Sequence, residues 1–257
     1  MLVVTWNVNS LRARLPRVLQ LLAEHRPDVV CMQETKTPPG GFPSLELLAE
    51  GYESVHESAG QWAGVAILAR SGLGLSESAC GLPGDAVPSE ARWCEATAGG
   101  VRFVSVYVPN GRSLDSPEYP RKLAFLDAAA DRVAQLTGAP LVVAGDFNIA
   151  PGDADVYDPP AFVGGTHVSD PERTRLQEIM TRGGLRDAYR ELHPEDVQYT
   201  WWDYRAGHFH KGFGLRIDLA LVTDELAGRL RECGIARDYR KGSKPSDHAP
   251  LLVSLGD

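Results

Sequence analysis

The sequence predicts an α/β or α+β layered fold. Three observations predict it: short apolar runs of strand length, amphipathic helical patterns between them, and a polar residue at the end of strand after strand. The strand candidates are Leu2–Trp6, Asp28–Met32, Gly64–Ala69, Val101–Val108, Leu141–Ala144, Ile217–Thr223 and Pro250–Ser254. They are rich in Val, Leu and Ile and short, as buried strands are. Pro16 suits the first turn of a helix whose apolar stripe is Val18, Leu19 and Leu22. A second helix carries Leu123, Leu126, Ala130 and Val133, and Gly138 closes it. A third spans about Arg173–Thr181, with Leu176, Ile179 and Met180 inward and Gly183 as its stop. Thr37–Pro43, Gly81–Ser89 and Asn110–Pro120 read as surface loops inside one domain, 1–257.

Composition narrows the class. At 257 residues, 43% hydrophobic and 23% charged, the chain is neither disordered nor fibrous. A fold of this size buries roughly three-quarters of its chain surface. No apolar run approaches the ~18 residues a membrane span needs. Met1 runs straight into Leu2-Val3-Val4 with no basic segment, so a cytoplasmic protein is expected. Cys31, Cys80, Cys94 and Cys233 show no CxxC spacing and read as reduced, mostly buried thiols rather than a zinc site. The net charge of −8 argues mildly against a nucleic-acid partner, although a binding face needs only a local excess of cations.

The polar strand ends are Asn7, Glu34, Tyr107, Asp146 and Asp218, joined by the Ser246-Asp247-His248 turn before the last strand. One such residue is more often a cap or turn residue. Six in one chain, all able to bind metal or move protons, point to a site at one rim of a sheet. In Gly145-Asp146-Phe147-Asn148, residues two apart share a side in extended backbone, so Asp146 and Asn148 would stand together with Phe147 opposite. Asn7 and Asn9 repeat that spacing; for either pair alone an Asx turn is the simpler reading. A carboxylate at Glu34, past a wholly apolar strand, is a solvated end or a hard-cation ligand. An acidic, amide-rich rim without clustered Cys or His suits Mg²⁺ or Mn²⁺ better than zinc. His248 is a natural proton carrier, and Asp218 is the candidate to orient it.

The segments Trp6–Arg14 (WNVNSLRAR), Gln33–Lys36 (QETK), Tyr107–Gly111 (YVPNG), Gly145–Asn148 (GDFN), Leu215–Leu221 (LRIDLAL) and Gly242–Leu251 (GSKPSDHAPL) carry a resemblance. Together they resemble exonuclease III-type apurinic/apyrimidinic endonucleases of the endonuclease/exonuclease/phosphatase superfamily, in that family's order and across the whole chain. The resemblance implies a four-layer αββα sandwich of two packed mixed β-sheets flanked by helices. It implies a metal-dependent DNA-repair phosphodiesterase that cuts 5′ to abasic sites and trims 3′ ends. Its partner would be double-stranded DNA with abasic sites or blocked 3′ ends, with the protein acting as a monomer, without a membrane, in the cytoplasm on the nucleoid.

Carried over residue by residue, Glu34 would be the principal metal ligand beside Asn7, with Asp146, Asn148, Asp247 and His248 completing the metal-site candidates. Asp146 would orient or deprotonate the attacking water. Asn148 and Asn110 would contact the phosphate, and Tyr107 would bond the phosphate or assist the leaving group. His248, oriented by Asp218, would stabilise charge on the phosphate. Trp201, Leu215 and Ile217 match a small apolar pocket that admits a bare sugar but not a base. Asn9 stands where many relatives have Asp, and Leu215 where some have Trp. Arg12, Arg14 and Arg17, the run from Arg205 through His208, His210 and Lys211 to Arg216, and Arg237, Arg240, Lys241 and Lys244 would supply a basic rim. Arg112 and Arg205 are the groove-contact candidates. Two other readings compete: the same core acting on RNA, lipid or inositol phosphates, and a non-catalytic DNA-binding module.

Overall fold

The computed structural model describes residues 1–256. In chain order its strands are β1 (Leu2–Asn7), β2 (Val29–Gln33), β3 (Tyr52–Glu57), β4 (Val65–Arg70), β5 (Ser76–Cys80), β6 (Trp93–Ala98) and β7 (Val101–Tyr107), then β8 (Leu141–Asp146), β9 (Leu185–Asp187), β10 (Asp218–Thr223), β11 (Leu230–Ile235) and β12 (Leu251–Leu255). The helices that shape the fold are α1 (Leu11–His25), α2 (Ser44–Ala49), α3 (Glu118–Gln135), α4 (Pro159–Phe162) and α5 (Asp170–Gly183). One sheet runs β11-β12-β1-β2-β4-β3 and the other β5-β6-β7-β8-β10-β9.

The alternation of each strand divides its side chains between two layers. Val3, Cys31, Ile67, Phe103, Val142, Ala220 and Val253 fill the space between the sheets. The opposite faces point to helices. Val4, Trp6, Val30 and Met32 pack against Leu11, Val18 and Leu21 of α1. Val104, Val143 and Leu219 pack against Phe125 and Leu126 of α3 and Ile179 of α5. The result is the expected four-layer sandwich, and strands buried on both faces explain the unbroken apolar runs.

Each sheet contains one parallel pair joined by a helix: β1-α1-β2 and β7-α3-β8. A parallel crossover returns the chain to the same starting end, so the C-terminal ends of all four strands reach one rim. β10 and β12 run antiparallel to β8 and β1, so their beginnings meet that rim too.

Several expectations need correction. Pro16 lies inside α1, which begins at Leu11, not in its first turn. Gly183 is the last residue of α5 and Gly184 is its left-handed cap. Pro120 belongs to the first turn of α3, so the preceding loop ends at Pro117. Leu123 is only half-buried; the inward stripe of that helix runs through Lys122, Phe125, Leu126, Ala129 and Val133. The unforeseen strands are β3, β5, β6, β9 and β11. Four of them are sheet edges, buried on fewer sides and therefore without an apolar run. The fifth, β6, carries the buried Glu95, paired with Arg102 and Arg132, in the middle of its sequence.

Candidate active site

Strand register places the first three groups. Tyr107 of β7 pairs with Asp146 of β8, and Asp146 pairs with Asp218 of β10, so all three share one rung. Val106 of β7 passes so close to Gly145 that a Cβ there would lie 1.9 Å from the Val106 carbonyl oxygen. Only glycine allows Asp146 to end the strand at this spacing. The other sheet brings Asn7 from β1 and Glu34 from just beyond β2. His248, three residues before β12, is held by its backbone: its carbonyl accepts from the Trp6 indole at 3.1 Å and its amide donates to Ser246 Oγ at 3.2 Å.

The side chains converge. Ligand atoms of Glu34, Asp146 and His248 lie within 4.8 Å of one another. Asn7 Nδ2 donates to Glu34 Oε1 at 2.7 Å and Asp146 Oδ2 at 2.9 Å. His248 Nδ1 stands 2.8 Å from Asp218 Oδ2, which leaves Nε2 facing Asp146 at 3.8 Å. Asn110 Nδ2 donates to Asn148 Oδ1 at 3.1 Å. Both Asx pairs form real Asx turns: the Asn148 amide donates to Asp146 and the Asn9 amide to Asn7. Phe147 turns into the core as expected. Glu34, Asn110, Asp146, Asn148 and His248 line a cavity of about 320 Å³ with Tyr107, His167, Trp201, Asp203, Arg205, Ile217 and Asp247, and Asn7 and Asp218 support it from behind through their bonds to Glu34, Asp146 and His248. A larger hollow beside β11 and β12, near 840 Å³, lies among Leu2, Ile235 and Leu252. Chemistry rather than volume distinguishes the two.

Electrostatics follow from burial of so many acids. Burial first, then the Asp218 and Glu34 carboxylates, push Asp146 up to about 7, against the pull of His248. Burial would lower His248, but Asp218 and Asp146 outweigh it and raise it to about 10. Asp146 and His248 share one buried hydrogen-bonding system; the direction fixed by two facing carboxylates is a charged imidazolium. Burial, with Glu34 and Asp146 nearby, holds the Tyr107 phenol well above its usual range, so it stays a proton donor.

The donor set suits a hard divalent cation. It is rich in oxygen, carries more carboxylates than cations, and lacks thiols. The carboxylates of Glu34 and Asp146 are the groups placed to hold it; His248, held as an imidazolium beside them, has no free lone pair to offer and contributes charge instead. Asn7 presents its amide nitrogen to the carboxylates rather than its oxygen. Asp247 stands further out, its oxygens taken by Asn9 Nδ2 at 2.9 Å and the Trp201 indole at 3.1 Å. The sequence profile of the endonuclease/exonuclease/phosphatase family matches residues 4–248, which take in every one of these groups.

The chain belongs to the endonuclease/exonuclease/phosphatase family. Within that family it is 30% identical to the exodeoxyribonuclease III of Haemophilus influenzae over 98% of both chains. Its fold superposes on the 3′-5′ exonuclease NExo of Neisseria meningitidis with a TM-score of 0.96 and 39% identity over the whole of both chains. A second NExo structure, of a 3′ phosphatase bound to a product DNA hairpin, gives a TM-score of 0.95 at 39% identity, again over both whole chains. An AP endonuclease of Archaeoglobus fulgidus is 33% identical with a TM-score of 0.94 over 99% of both chains.

Not every candidate reaches this family's cavity. Trp201 and Ile217 line it, while Leu215 packs with both of them, and with Ala150 and Val156, behind that wall without lining the cavity itself. Arg205 lines the cavity while its guanidinium pairs with Asp203. Arg112 lies in the neighbouring hollow and pairs with Glu118. Arg216 is no part of a basic rim: it is fully buried between Asp155 and Asp187. Arg240 is likewise buried, donating to the carbonyls of Ser246 and Trp202.

Other residues were missed. Lys122, fully buried, donates to the carbonyls of Asn148 at 2.7 Å and Asn110 at 3.3 Å, and pairs with Glu172 at 2.5 Å. It therefore braces both asparagine loops from behind. Its sequence signal was a lysine on the buried phase of a helix stripe. Glu172 carried another: with Ser169 it forms a capping box on α5. His167, with a left-handed backbone, donates from Nδ1 to the Asn148 carbonyl at 2.6 Å. Burial first, then the Lys122 charge, lower it to about 4, which keeps its ring neutral in the cavity wall.

Proposed function

We propose that this protein is a divalent-metal-dependent DNA-repair nuclease that processes 3′ ends, removing 3′ phosphoryl groups and 3′ nucleotides from duplex DNA with Mg²⁺ or Mn²⁺. The observation that carries the reading is the convergence of Glu34, Asp146 and His248 in one cavity with Asn110 and Asn148. Its likeness over whole chains to an exodeoxyribonuclease III and a 3′-5′ exonuclease supports it.

A divalent cation held by Glu34 and Asp146 would supply charge neutralisation at the phosphate and a more acidic water. The residues do the rest. Asp146, beside the metal position, orients the attacking water and receives its proton. His248, aligned by Asp218, places positive charge against a non-bridging oxygen. Asn148 and Asn110 fix the phosphate, and Tyr107, held protonated, donates toward the phosphate or the leaving oxygen. The protein does this as a single catalytic unit and a monomer on DNA in the cytoplasm. No helix among the described residues is long and apolar enough to cross a membrane.

Incision 5′ to abasic sites is the second reading, favoured by Trp201 and Ile217 in the cavity wall. His167 stands in the same wall, so an extruded sugar would share the space with its imidazole. A gel assay separates the two. Labelled duplexes bear a 3′ phosphate, a recessed 3′ end or one internal tetrahydrofuran abasic analogue, each with Mg²⁺, Mn²⁺ or EDTA. Metal-dependent loss of the 3′ phosphate at rates well above internal cutting supports 3′-end processing. Dominant internal cutting makes abasic incision the principal activity. Inertness on all three, with Glu34→Ala indistinguishable from the parent, refutes both and moves the search to RNA and small phosphoesters.

A further inference from the structure

We propose that Cys80 and Cys94 form a redox site, which a peroxide closes into a reversible cross-strand disulfide at the base of the loop beside Tyr107. Cys80 ends β5 and stands directly opposite Cys94 of β6 in antiparallel register. The Gly81 amide donates to the Trp93 carbonyl at 2.9 Å, flanking the pair, so the two cysteines occupy a non-hydrogen-bonded position of the ladder. At such positions Cα atoms approach to about 4.5 Å and the side chains share a face. A disulfide spans that separation. Neither thiol is used by the site chemistry.

Exposure assigns the roles. Cys80 is exposed and Cys94 is buried. The neighbouring Cys80 thiol and burial keep the Cys94 thiol protonated, with Glu57 and Cys31 as the other titratable groups facing it. Cys80 as thiolate attacks the peroxide: an S–O bond forms, the O–O bond breaks, and water or an alcohol leaves with the added proton. The Cys80 sulfur is oxidised by two electrons and the peroxide is reduced by two. The Cys94 sulfur then attacks the Cys80 sulfenic acid: the S–S bond forms, the S–O bond breaks, and the hydroxide departs as water with the Cys94 proton. A dithiol reverses the bond by exchange.

The intervening loop makes the bond consequential. Arg92 lies with its guanidinium 4.5 Å from the centre of the Tyr107 ring. Glu90 pairs with Arg92 and Arg121. Cys94 itself packs against Tyr107 with Ala63 and Val65. A disulfide would tie both ends of this loop to one point, next to the nuclease centre but outside its chemistry.

The test uses the whole protein. Reduced protein is treated with hydrogen peroxide, the remaining thiols are alkylated under denaturing conditions, and peptides are mapped with and without dithiothreitol. The expected product is an intramolecular Cys80–Cys94 peptide that dithiothreitol cleaves, with several-fold slower proteolytic nicking between residues 82 and 90. Cys80→Ser, on an exposed edge, should keep basal nuclease activity and lose both responses. In Cys94→Ser, dimedone should trap the Cys80 sulfenic acid. If wild-type Cys80 instead proceeds to sulfinic acid, or links two molecules, while Cys94 stays alkylatable, the proposal is overturned; that result leaves the nuclease reading intact.

Discussion

Two regions of this molecule bury charge, and they do so in opposite ways. Behind the asparagine loops and beside β9, each buried ion meets its counter-charge: Lys122 with Glu172, and Arg216 with Asp155 and Asp187. At the rim, Glu34, Asp146, Asp218 and Asp247 crowd around one imidazole, with Lys36 on the outer side of Glu34. The paired region is built to hold its shape. The rim carries an acid surplus, which is unfavourable until a cation arrives. Structure spends its buried charge on geometry in one place and keeps it unbalanced in the other, where chemistry needs a metal.

The largest expected effect breaks the unbalanced side. Asp146→Asn and His248→Ala should each lower kcat by at least about 10³-fold, since each removes proton transfer or charge stabilisation. Single-turnover release of 3′ phosphate measures this. The same Asp146→Asn protein should melt no lower than the parent in EDTA, because it relieves crowding; a clear fall in Tm would contradict the surplus. Next, the paired side. Lys122→Met should destabilise by about 3–5 kcal/mol in urea unfolding, because it leaves Glu172 buried and alone. Pairing it with Glu172→Gln should recover much of that stability but not kcat, as the loops of Asn110 and Asn148 lose their brace.

Metal binding gives an intermediate effect. Mn²⁺ or Mg²⁺ should raise Tm in a concentration-dependent way in the parent, and much less in Glu34→Gln. Acid unfolding is smaller still. Burial would raise Asp155, but Arg216 and Arg190 overcome it and lower its pKa. Its contribution is therefore full above the ordinary carboxylate value of about 3.9 and disappears as pH falls through the lowered folded value. Asp155→Asn should unfold more easily at neutral pH yet show a shallower loss of stability below about pH 4. The smallest effect belongs to the exposed Arg112: replacement by Ala should raise KM a few-fold and flatten the salt dependence by about one unit of slope, with kcat preserved.

The contrast also decides what could be read without coordinates. Doubly buried strands announce themselves as apolar runs, and their polar ends marked Asn7, Glu34, Tyr107, Asp146 and Asp218 in advance. Edge strands such as β5 carry no such run. Arg216 was misplaced and Lys122 missed for one reason: a cation's partner sits far away in sequence, as Asp155 and Glu172 do, so its burial is invisible locally. Leu215 looked like a pocket wall because its neighbour Ile217 is one. Two residues apart in extended chain share a side, and Leu215 does pack with Ile217 and Trp201; its bridges to Trp201 and Val156 hold it behind the residues that line the cavity.

The shared rung of Tyr107, Asp146 and Asp218 has a further consequence. Backbone pairing sets the spacing between neighbouring strands at about 4.8 Å, whatever the side chains attached. These three side chains are thus mounted on a ruler that the surrounding loops cannot stretch. Loops around the cavity can lengthen, shorten or change their charge and alter which DNA end is admitted, while the spacing of these three side chains stays the same. Deleting one residue within β8 would do the reverse: every loop would remain, and the acid would face the wrong side of the sheet.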